Sequence, residues 1–372
     1  MNSTRKSVFG MLLVAALGLA AAAPGRQQPG QPARQPGQPA PPQPPDAPQD
    51  DAQARIRATS NLVVIPVTVK DSSGRVVLDI RREEFRIFED DVEQQLEVFS
   101  NEPFPLSVVV LLDNDLDTKV AEQVEPTFPA LVAGISQGDE VYVARFDQTF
   151  KEAKGFTTDP DQLLTQLKRT HVQSSPARAP AGGPMGTGPT INGAPAPGVP
   201  PTSSPTVTIL KAKPTKNVDD AIFAAAGILK GRARERRKII LLVSDGVNSH
   251  NNRVTFKDAV RALLTAGVTV YSVGVGDAFL NRGIPVVSKV TATPLSKYAR
   301  ATAGDVFYAA KRSEIEEHYA TALEEARVQY TLAYVPRGTD RTKDYHSIEV
   351  RVRRPGLTVD ARDGYYTSEV PH

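Results

Sequence analysis

Three aspartates at alternate positions follow an apolar run in the first third of the chain. Residues 106–112 are LSVVVLL, and Asp113, Asp115 and Asp117 come directly after them. A turn at the end of a strand points alternate side chains the same way, and Mg²⁺ and Ca²⁺ both prefer oxygen ligands. The spacing therefore predicts that these carboxylates converge on one hard cation.

A fourth aspartate follows a second apolar run. The segment KIILLV ends at Ser244, Asp245 and Gly246, and the glycine permits a sharp exit from the strand. Binding crevices of open α/β sheets lie outside the carboxyl ends of the strands, so we expect Asp245 to face the same crevice as Asp113. The alternative is that both aspartates merely cap the helices that follow them.

The elements that must position these aspartates alternate in type. Apolar runs such as LSVVVLLD, DEVYVARF, KIILLVSDG and TVYSVGVGD alternate with helical stretches such as VDDAIFAAAGILKG and FKDAVRALLTAG. This alternation is typical of a parallel sheet wrapped by helices. It predicts an α/β domain over residues 104–326, with a central, mostly parallel sheet.

Two β-rich segments flank the predicted α/β domain. Residues 59–103 and 327–372 both contain short alternating runs separated by turn residues. The economical architecture joins them as one small antiparallel β domain into which the α/β domain is inserted. The alternative is two separate β appendages, and pairing of residues 62–100 with 328–366 decides between the two.

The N-terminal residues predict export from the cytoplasm. Residues 1–23 combine Arg5 and Lys6 with a short apolar run and a cluster of alanines, which is the pattern of a signal peptide cleaved near Ala22 or Ala23. The alternative is an uncleaved N-terminal anchor. The prediction is a protein that is secreted or lies in the periplasm or cell envelope, with no membrane span after signal cleavage.

Two segments have low-complexity composition. Residues 24–58 are rich in proline and glutamine and lack the apolar side chains needed for a core, so they predict a disordered tether. Residues 173–214 are too long for an ordinary connection and predict a disordered surface insertion in the α/β domain. The insertion is either a lid or partner-binding loop or simply a tolerated insertion.

The composition excludes several function classes. The sequence has 44 Lys and Arg against 42 Asp and Glu, so no global field favours nucleic acid or an anionic membrane. It has no cysteine, which excludes disulfides, cysteine zinc sites and thiol nucleophiles. The basic run at residues 230–238 is interpreted as a solvated helix end, and no nucleic acid partner is predicted.

The segments VVVLLDNDLD, IILLVSDG and TVYSVGVGD resemble, in this order, the von Willebrand factor A-type (VWA) domain. The β-rich flanks resemble those of secreted VWA-related proteins of acidobacteria and similar soil bacteria. The resemblance runs from about residue 62 to residue 366. It implies a Rossmann-like fold and a metal-ion-dependent adhesion site built from D-x-S-x-S after the first strand, a Thr in a middle loop, and an Asp in a T/S-D-G turn.

The resemblance assigns most of the site to the aspartates already named. Asp113 and Asp245 match the first and last Asp of the family pattern, while Asp115 and Asp117 occupy its two Ser positions. The metal-site residues implied for this chain are Asp113, Asp115, Asp117, Thr215 and Asp245.

The middle loop departs from the family pattern. Lys216 falls where the family has its Thr, and Thr215 is one place away. Two alternatives follow: the extra carboxylates create a site for Ca²⁺ or Mg²⁺, or the ammonium of Lys216 enters the acidic cluster and replaces the cation.

The resemblance implies a non-enzymatic protein that recognises a protein or peptide ligand at a degenerate adhesion site. One alternative is a phosphatase similar to haloacid dehalogenases, with Asp113 as nucleophile and Asp115 as acid and base. Position 117 opposes it, because that family has Thr or Val there. A second alternative is a metal-free structural scaffold protein of the cell envelope.

Overall fold

The structure is a computed structural model that describes residues 62–152, 155–169, 190–191, 194–195, 216–280, 293–338, 340 and 342–367. The predicted signal peptide and the predicted tether lie outside the described residues. Within the predicted insertion, only the short hairpin of Thr190–Ile191 and Ala194–Pro195 is described.

The strands are numbered in chain order. They are β1 (Val63–Lys70), β2 (Phe85–Glu89), β3 (Val92–Gln94), β4 (Leu96–Ser100), β5 (Leu106–Asp113), β6 (Glu140–Phe146), β7 (Phe150–Glu152), β8 (Thr190–Ile191), β9 (Ala194–Pro195), β10 (Arg237–Ser244), β11 (Val268–Gly274), β12 (Val306–Tyr308), β13 (Tyr330–Tyr334), β14 (Tyr345–Val352), β15 (Thr358–Ala361) and β16 (Gly364–Tyr366).

The helices are numbered in the same way. They are α1 (Thr118–Val124), α2 (Phe128–Ala133), α3 (Pro160–Arg169), α4 (Val218–Lys230), α5 (Phe256–Ala266), α6 (Asp277–Leu280), α7 (Pro294–Ala301) and α8 (Arg312–Val328), with short 3-10 turns at Arg82–Glu84 and Glu125–Thr127.

A central sheet has the strand order β12, β11, β10, β5, β6, β7. Neighbouring strands in this sheet pair in parallel, except that β6 and β7 pair antiparallel. Strands buried on both faces need apolar side chains on both, which explains the unbroken apolar runs in β5 and β10. The fold class predicted from the sequence is confirmed.

Helices cover both faces of the central sheet. One apolar core contains side chains of α1, α2, α3 and α8, represented by Leu131, Leu163 and Tyr319. The other contains side chains of α4, α5 and α7, represented by Ile222 and Leu263. These two layers hold the strand ends, and therefore the site residues, in fixed positions.

The flanking segments pair with each other in two antiparallel sheets, in the orders β15-β1-β13-β4 and β16-β14-β2-β3. In the first sheet Val63 is opposite Tyr334. In the second, Ile348 is opposite Glu89. The predicted pairing of residues 62–100 with 328–366 is thus observed, and two separate appendages are excluded.

Candidate functional site

The predicted crevice forms where β5 and β10 end side by side. Leu112 pairs with Val243 in the parallel register, so Asp113 and Ser244 are neighbours at the carboxyl edge of the sheet. The Ser244 hydroxyl donates to Oδ2 of Asp113 at 2.7 Å. Gly246 turns the chain away with a φ of +76°, a conformation that glycine adopts without a steric cost.

Lys216 joins the two aspartates of this edge. Its Nζ donates to Oδ2 of Asp113 at 3.1 Å and to Oδ2 of Asp245 at 2.5 Å. Lys216 is 4 % exposed and Asp113 is 1 % exposed. The ammonium is therefore a buried cation with a carboxylate on two sides, and charge-assisted hydrogen bonds of this kind are among the stronger ones.

The pKa values of this cluster follow from burial and from the paired charges. Burial raises the pKa of Asp113 to about 6, although the Lys216 ammonium lowers it. Burial alone would lower the pKa of Lys216, but the charges of Asp113 and Asp245 overcome that effect and raise the pKa above 10.5. Lys216 is consequently protonated at neutral pH.

The other predicted ligands have different surroundings. The backbone N–H of Asp115 donates to Oδ1 of Asp113 at 3.0 Å. Asp117 is exposed and caps α1, accepting a hydrogen bond from the backbone N–H of Lys119 at 3.0 Å. The capping alternative concerned Asp113 and Asp245, whose side chains contact Lys216, and the aspartate that caps a helix is Asp117. Thr215 lies outside the described residues.

A set of asparagines fixes the loop that carries Lys216. The side-chain oxygen of Asn248 accepts a hydrogen bond from the N–H of Val218, and that of Asn252 accepts from the N–H of Asp219. The carbonyl of Lys216 accepts from the N–H of Ser249 at 2.7 Å. These contacts join the start of α4 to the loop after β10 and hold Lys216 over the strand ends. Sequence reasoning missed them, although asparagines are common in such loops.

A divalent cation does not fit the residues as they are placed. The Lys216 ammonium already lies between the two carboxylates that would hold the cation, and like charges repel. Within the described residues, no group of three or more His, Asp or Glu side chains is arranged to hold a metal ion. This placement favours the alternative in which Lys216 replaces the cation.

The basic run at residues 230–238 also differs from its interpretation as a solvated helix end. Helix α4 ends at Lys230, but Arg237 begins β10 and is 8 % exposed. Its guanidinium donates to the backbone carbonyl of Gln329 and, at 3.1 Å, to the hydroxyl of Thr331. The interpretation is therefore wrong for Arg237, which lies buried against the β domain.

The strand order and the helical layers together define the α/β part as a Rossmann-like domain. Residues 208–319 match the family model "von Willebrand factor type A domain". The match covers less than a third of the chain and agrees with the family that the motifs predict. No curated protein gives a match to the chain.

Solved structures with a similar fold include three of distant sequence. Proximal thread matrix protein 1 from the mussel byssus, with a zinc-occupied MIDAS motif, is 14 % identical with a TM-score of 0.39, covering 61 % of this chain and 49 % of that one. A von Willebrand factor type A protein from Catenulispora acidiphila is 9 % identical with a TM-score of 0.41, covering 82 % and 75 %. Manganese-loaded TRAP protein from Plasmodium vivax is 12 % identical with a TM-score of 0.38, covering 77 % and 99 %.

The chain spans about half the length of the mussel protein. At these identities and TM-scores the three structures carry no argument about the function of this chain. Within the described residues, no helix combines the length and apolar character that crossing a bilayer requires.

Proposed function

We propose that this chain is a secreted, non-enzymatic binding protein that recognises a protein or peptide ligand at the carboxyl edge of its VWA domain without a metal ion. The observation that carries the proposal is the position of Lys216, whose Nζ contacts both Asp113 and Asp245. A tethered ammonium holds both carboxylates in place without a dissolved cation, so the edge keeps its shape whatever the concentration of divalent cations.

The chemistry of the edge indicates the kind of group it would recognise. Lys216 pairs with the inner carboxylates of Asp113 and Asp245, while Asp115 and Asp117 follow in the turn nearer the solvent. A site whose outer residues are carboxylates attracts a basic side chain of a partner. This differs from metal-loaded sites, where a ligand carboxylate completes the coordination of the cation.

The phosphatase alternative conflicts with the surroundings of Asp113. Its side chain is fully buried, and Oδ2 accepts hydrogen bonds from both Ser244 and Lys216. A nucleophilic carboxylate must reach the phosphorus atom of its substrate, which this packing prevents. We expect no turnover of p-nitrophenyl phosphate in Mg²⁺; sustained turnover that is lost in Asp113→Asn would support the phosphatase instead.

Export is the part of the proposal that rests on sequence alone. Residues 1–23 supply the signal-peptide pattern. N-terminal sequencing of the protein recovered from the culture medium or the periplasm is expected to begin near residue 23 or 24. Recovery of the full-length chain from the cytoplasm would contradict the predicted location.

Peptide selection tests recognition at this edge. Random peptides displayed on phage would be selected on the immobilised mature chain in EDTA, and the enriched peptides measured by calorimetry. We expect peptides with Lys or Arg to bind in EDTA. The double variant Asp115→Asn with Asp117→Asn should weaken the affinity of these peptides about tenfold, which is the usual effect of losing one charge-assisted contact.

The matched control is Asp79→Asn, because Asp79 is an exposed carboxylate of the β domain that pairs with Arg354. It should leave peptide binding unchanged. Peptides that bind only after Ca²⁺ or Mg²⁺ is added, or that ignore the Asp115 and Asp117 substitutions, would contradict the proposal.

A further inference from the structure

A cleft of about 790 Å³ lies at the other end of the central sheet, between the amino ends of its strands and the β domain. We call it the basic cleft. All six basic residues of the run 230–238 line it, together with Arg362. Among the described residues that line the basic cleft there is no Asp or Glu.

Arg237 lies at the wall of the basic cleft without a counter-charge. Its guanidinium nitrogens donate to the side-chain and backbone oxygens of Gln329 and to the hydroxyl of Thr331, all of which are uncharged. Its Nε is buried and has no hydrogen-bond partner among the described residues. Burial lowers the pKa of Arg237 to about 10, as expected for a cation removed from water without compensation.

Arg362 repeats this arrangement from the β domain. It is 8 % exposed, lies near the ring of Tyr365, and has a buried Nε that lacks a hydrogen-bond partner in the described part of the chain. Burial lowers its pKa as well. Two arginines from different domains therefore line the same cleft, and neither has a carboxylate partner among the hydrogen bonds and ion pairs of the described residues.

Other cations of the basic cleft add to this charge. Lys238 donates to two backbone carbonyls, those of Lys230 and Ala266, and burial together with Arg234 and Arg232 lowers its pKa. Arg232 and Arg236 pair with Glu140, which is not a lining residue. The like charges remain close to one another because the packing of the two domains holds them there.

Buried polar groups are nearly always hydrogen-bonded, and a buried charge without a partner costs free energy. An arginine presents its donors in a fixed fork that matches carboxylate and phosphate oxygens. A cleft of this volume accommodates a small molecule, since ligand pockets span about 300–1,000 Å³, and it is too small for a folded protein.

We propose that the basic cleft binds a small ligand with two or more oxyanion groups, either carboxylates or phosphates, through Arg237, Arg362 and the basic residues at its rim. The ligand supplies the negative charge that the lining lacks. This site is distinct from the carboxyl edge, because Arg237 begins β10 and Ser244 ends it. A strand of that length separates the two by roughly 23 Å.

Two probes distinguish the possible oxyanions. Citrate and tripolyphosphate would be titrated into the mature chain by calorimetry at low salt, and the melting temperature followed with each. We expect one probe or both to bind with a one-to-one stoichiometry and to raise the melting temperature, and the affinity to fall as salt is added. Preference for citrate would assign carboxylates, and preference for tripolyphosphate would assign phosphates.

Variants locate the binding. Arg237→Gln and Arg362→Gln should each weaken the probe at least about tenfold, because each removes a charge-assisted hydrogen bond from a buried site. Arg234→Gln is the variant that keeps the proposal testable if the buried substitutions prevent folding, since Arg234 is exposed; we expect it to weaken binding severalfold.

The matched control is Arg351→Gln, because Arg351 is an exposed arginine of β14 that pairs with Glu349 away from the cleft. This variant should bind the probes like the original chain.

Failure of both probes to bind at millimolar concentration would overturn the proposal. Binding that Arg234→Gln leaves unchanged, or binding of a short DNA duplex without binding of either small probe, would also overturn it. Peptide binding at the carboxyl edge would also be measured on Arg234→Gln. If the peptides still bind, a failure of the basic-cleft proposal is distinguished from a failure of the proposed function.

Discussion

The two ends of strand β10 bury cations in opposite ways. At the carboxyl end, the ammonium of Lys216 lies between the carboxylates of Asp113 and Asp245. At the amino end, the guanidinium of Arg237 contacts only uncharged groups among the described residues. At the first end the chain itself supplies the counter-charge for its buried cation, while the second end leaves positive charge for something else to neutralise.

This difference indicates which site depends on a dissolved ion or ligand. A buried ion pair whose partners are both covalently part of the protein forms whenever the protein folds. A buried cation without a partner instead becomes more stable when an anion binds. The carboxyl edge should therefore be insensitive to divalent cations, and the amino edge sensitive to small anions.

The largest expected effect comes from removing the ammonium at the carboxyl end. Lys216→Met leaves Asp113 buried without compensation, and loss of one partner of a buried pair costs about 3–5 kcal/mol. Urea unfolding would measure the change in the free energy of unfolding. Asp113→Asn in the same chain should recover part of the loss, because it removes the stranded charge.

Lys151→Met is the matched control for this substitution. Lys151 pairs with Asp147 on the surface, where its side chain is 46 % exposed. An exposed pair contributes about 0–1 kcal/mol, so the control should cost little. Equal losses for the Lys216 and Lys151 variants would remove the distinction between the two kinds of pair.

A smaller effect is expected at the amino end. Arg237→Met deprives Gln329 and Thr331 of a donor, but it also removes a buried cation that has no carboxylate partner. We expect a loss of about 1–2 kcal/mol in the free energy of unfolding, since uncharged acceptors lose a donor and no charge is stranded. A loss larger than that of Lys216→Met would reverse the comparison.

The smallest expected effect is on the titration of one carboxyl group. Burial places the pKa of Asp113 at about 6, above its unfolded value of 3.8. Between pH 3.8 and about pH 6, the folded state therefore binds a proton on this carboxyl group more tightly than the unfolded state does. The contribution of Asp113 to stability therefore falls as the pH rises from about 4 to 6 and is constant above that. Carbon-detected NMR should show this midpoint in the original chain and a higher one in Lys216→Met. A midpoint near 4 in both proteins would show that Lys216 and burial have no influence on Asp113.

The sequence predicts the fold well because the relevant patterns are local. The unbroken apolar runs of β5 and β10 require burial on both faces, and the alternation in β14 requires burial on one. The sequence singles out Asp113 and Asp245 because they lie at the ends of apolar strands, where open α/β sheets place their sites. The domain boundaries at residues 23, 58, 103 and 326 stay predictions.

The rest depends on contacts between distant parts of the chain. Whether the ammonium of Lys216 reaches Asp113 depends on how α4 begins, which the asparagines of the loop after β10 determine. Arg237 lies in an ordinary basic run, and its burial against Gln329 and Thr331 arises only when the β domain closes over the strand ends. Assignment of Asp115 and Asp117 as metal ligands rests on their spacing and on the family resemblance, and it stays a prediction.

Calorimetric titration with divalent cations tests most directly the claim that Lys216 takes the place of a metal ion. Ca²⁺ and Mg²⁺ would be added to the original chain and to Lys216→Thr, which introduces the residue type that the resemblance implies for this position. We predict no binding to the original chain up to millimolar concentration and measurable binding to the variant, because the carboxylates of Asp113 and Asp245 then face each other without a cation. Micromolar binding of either cation to the original chain would contradict the account.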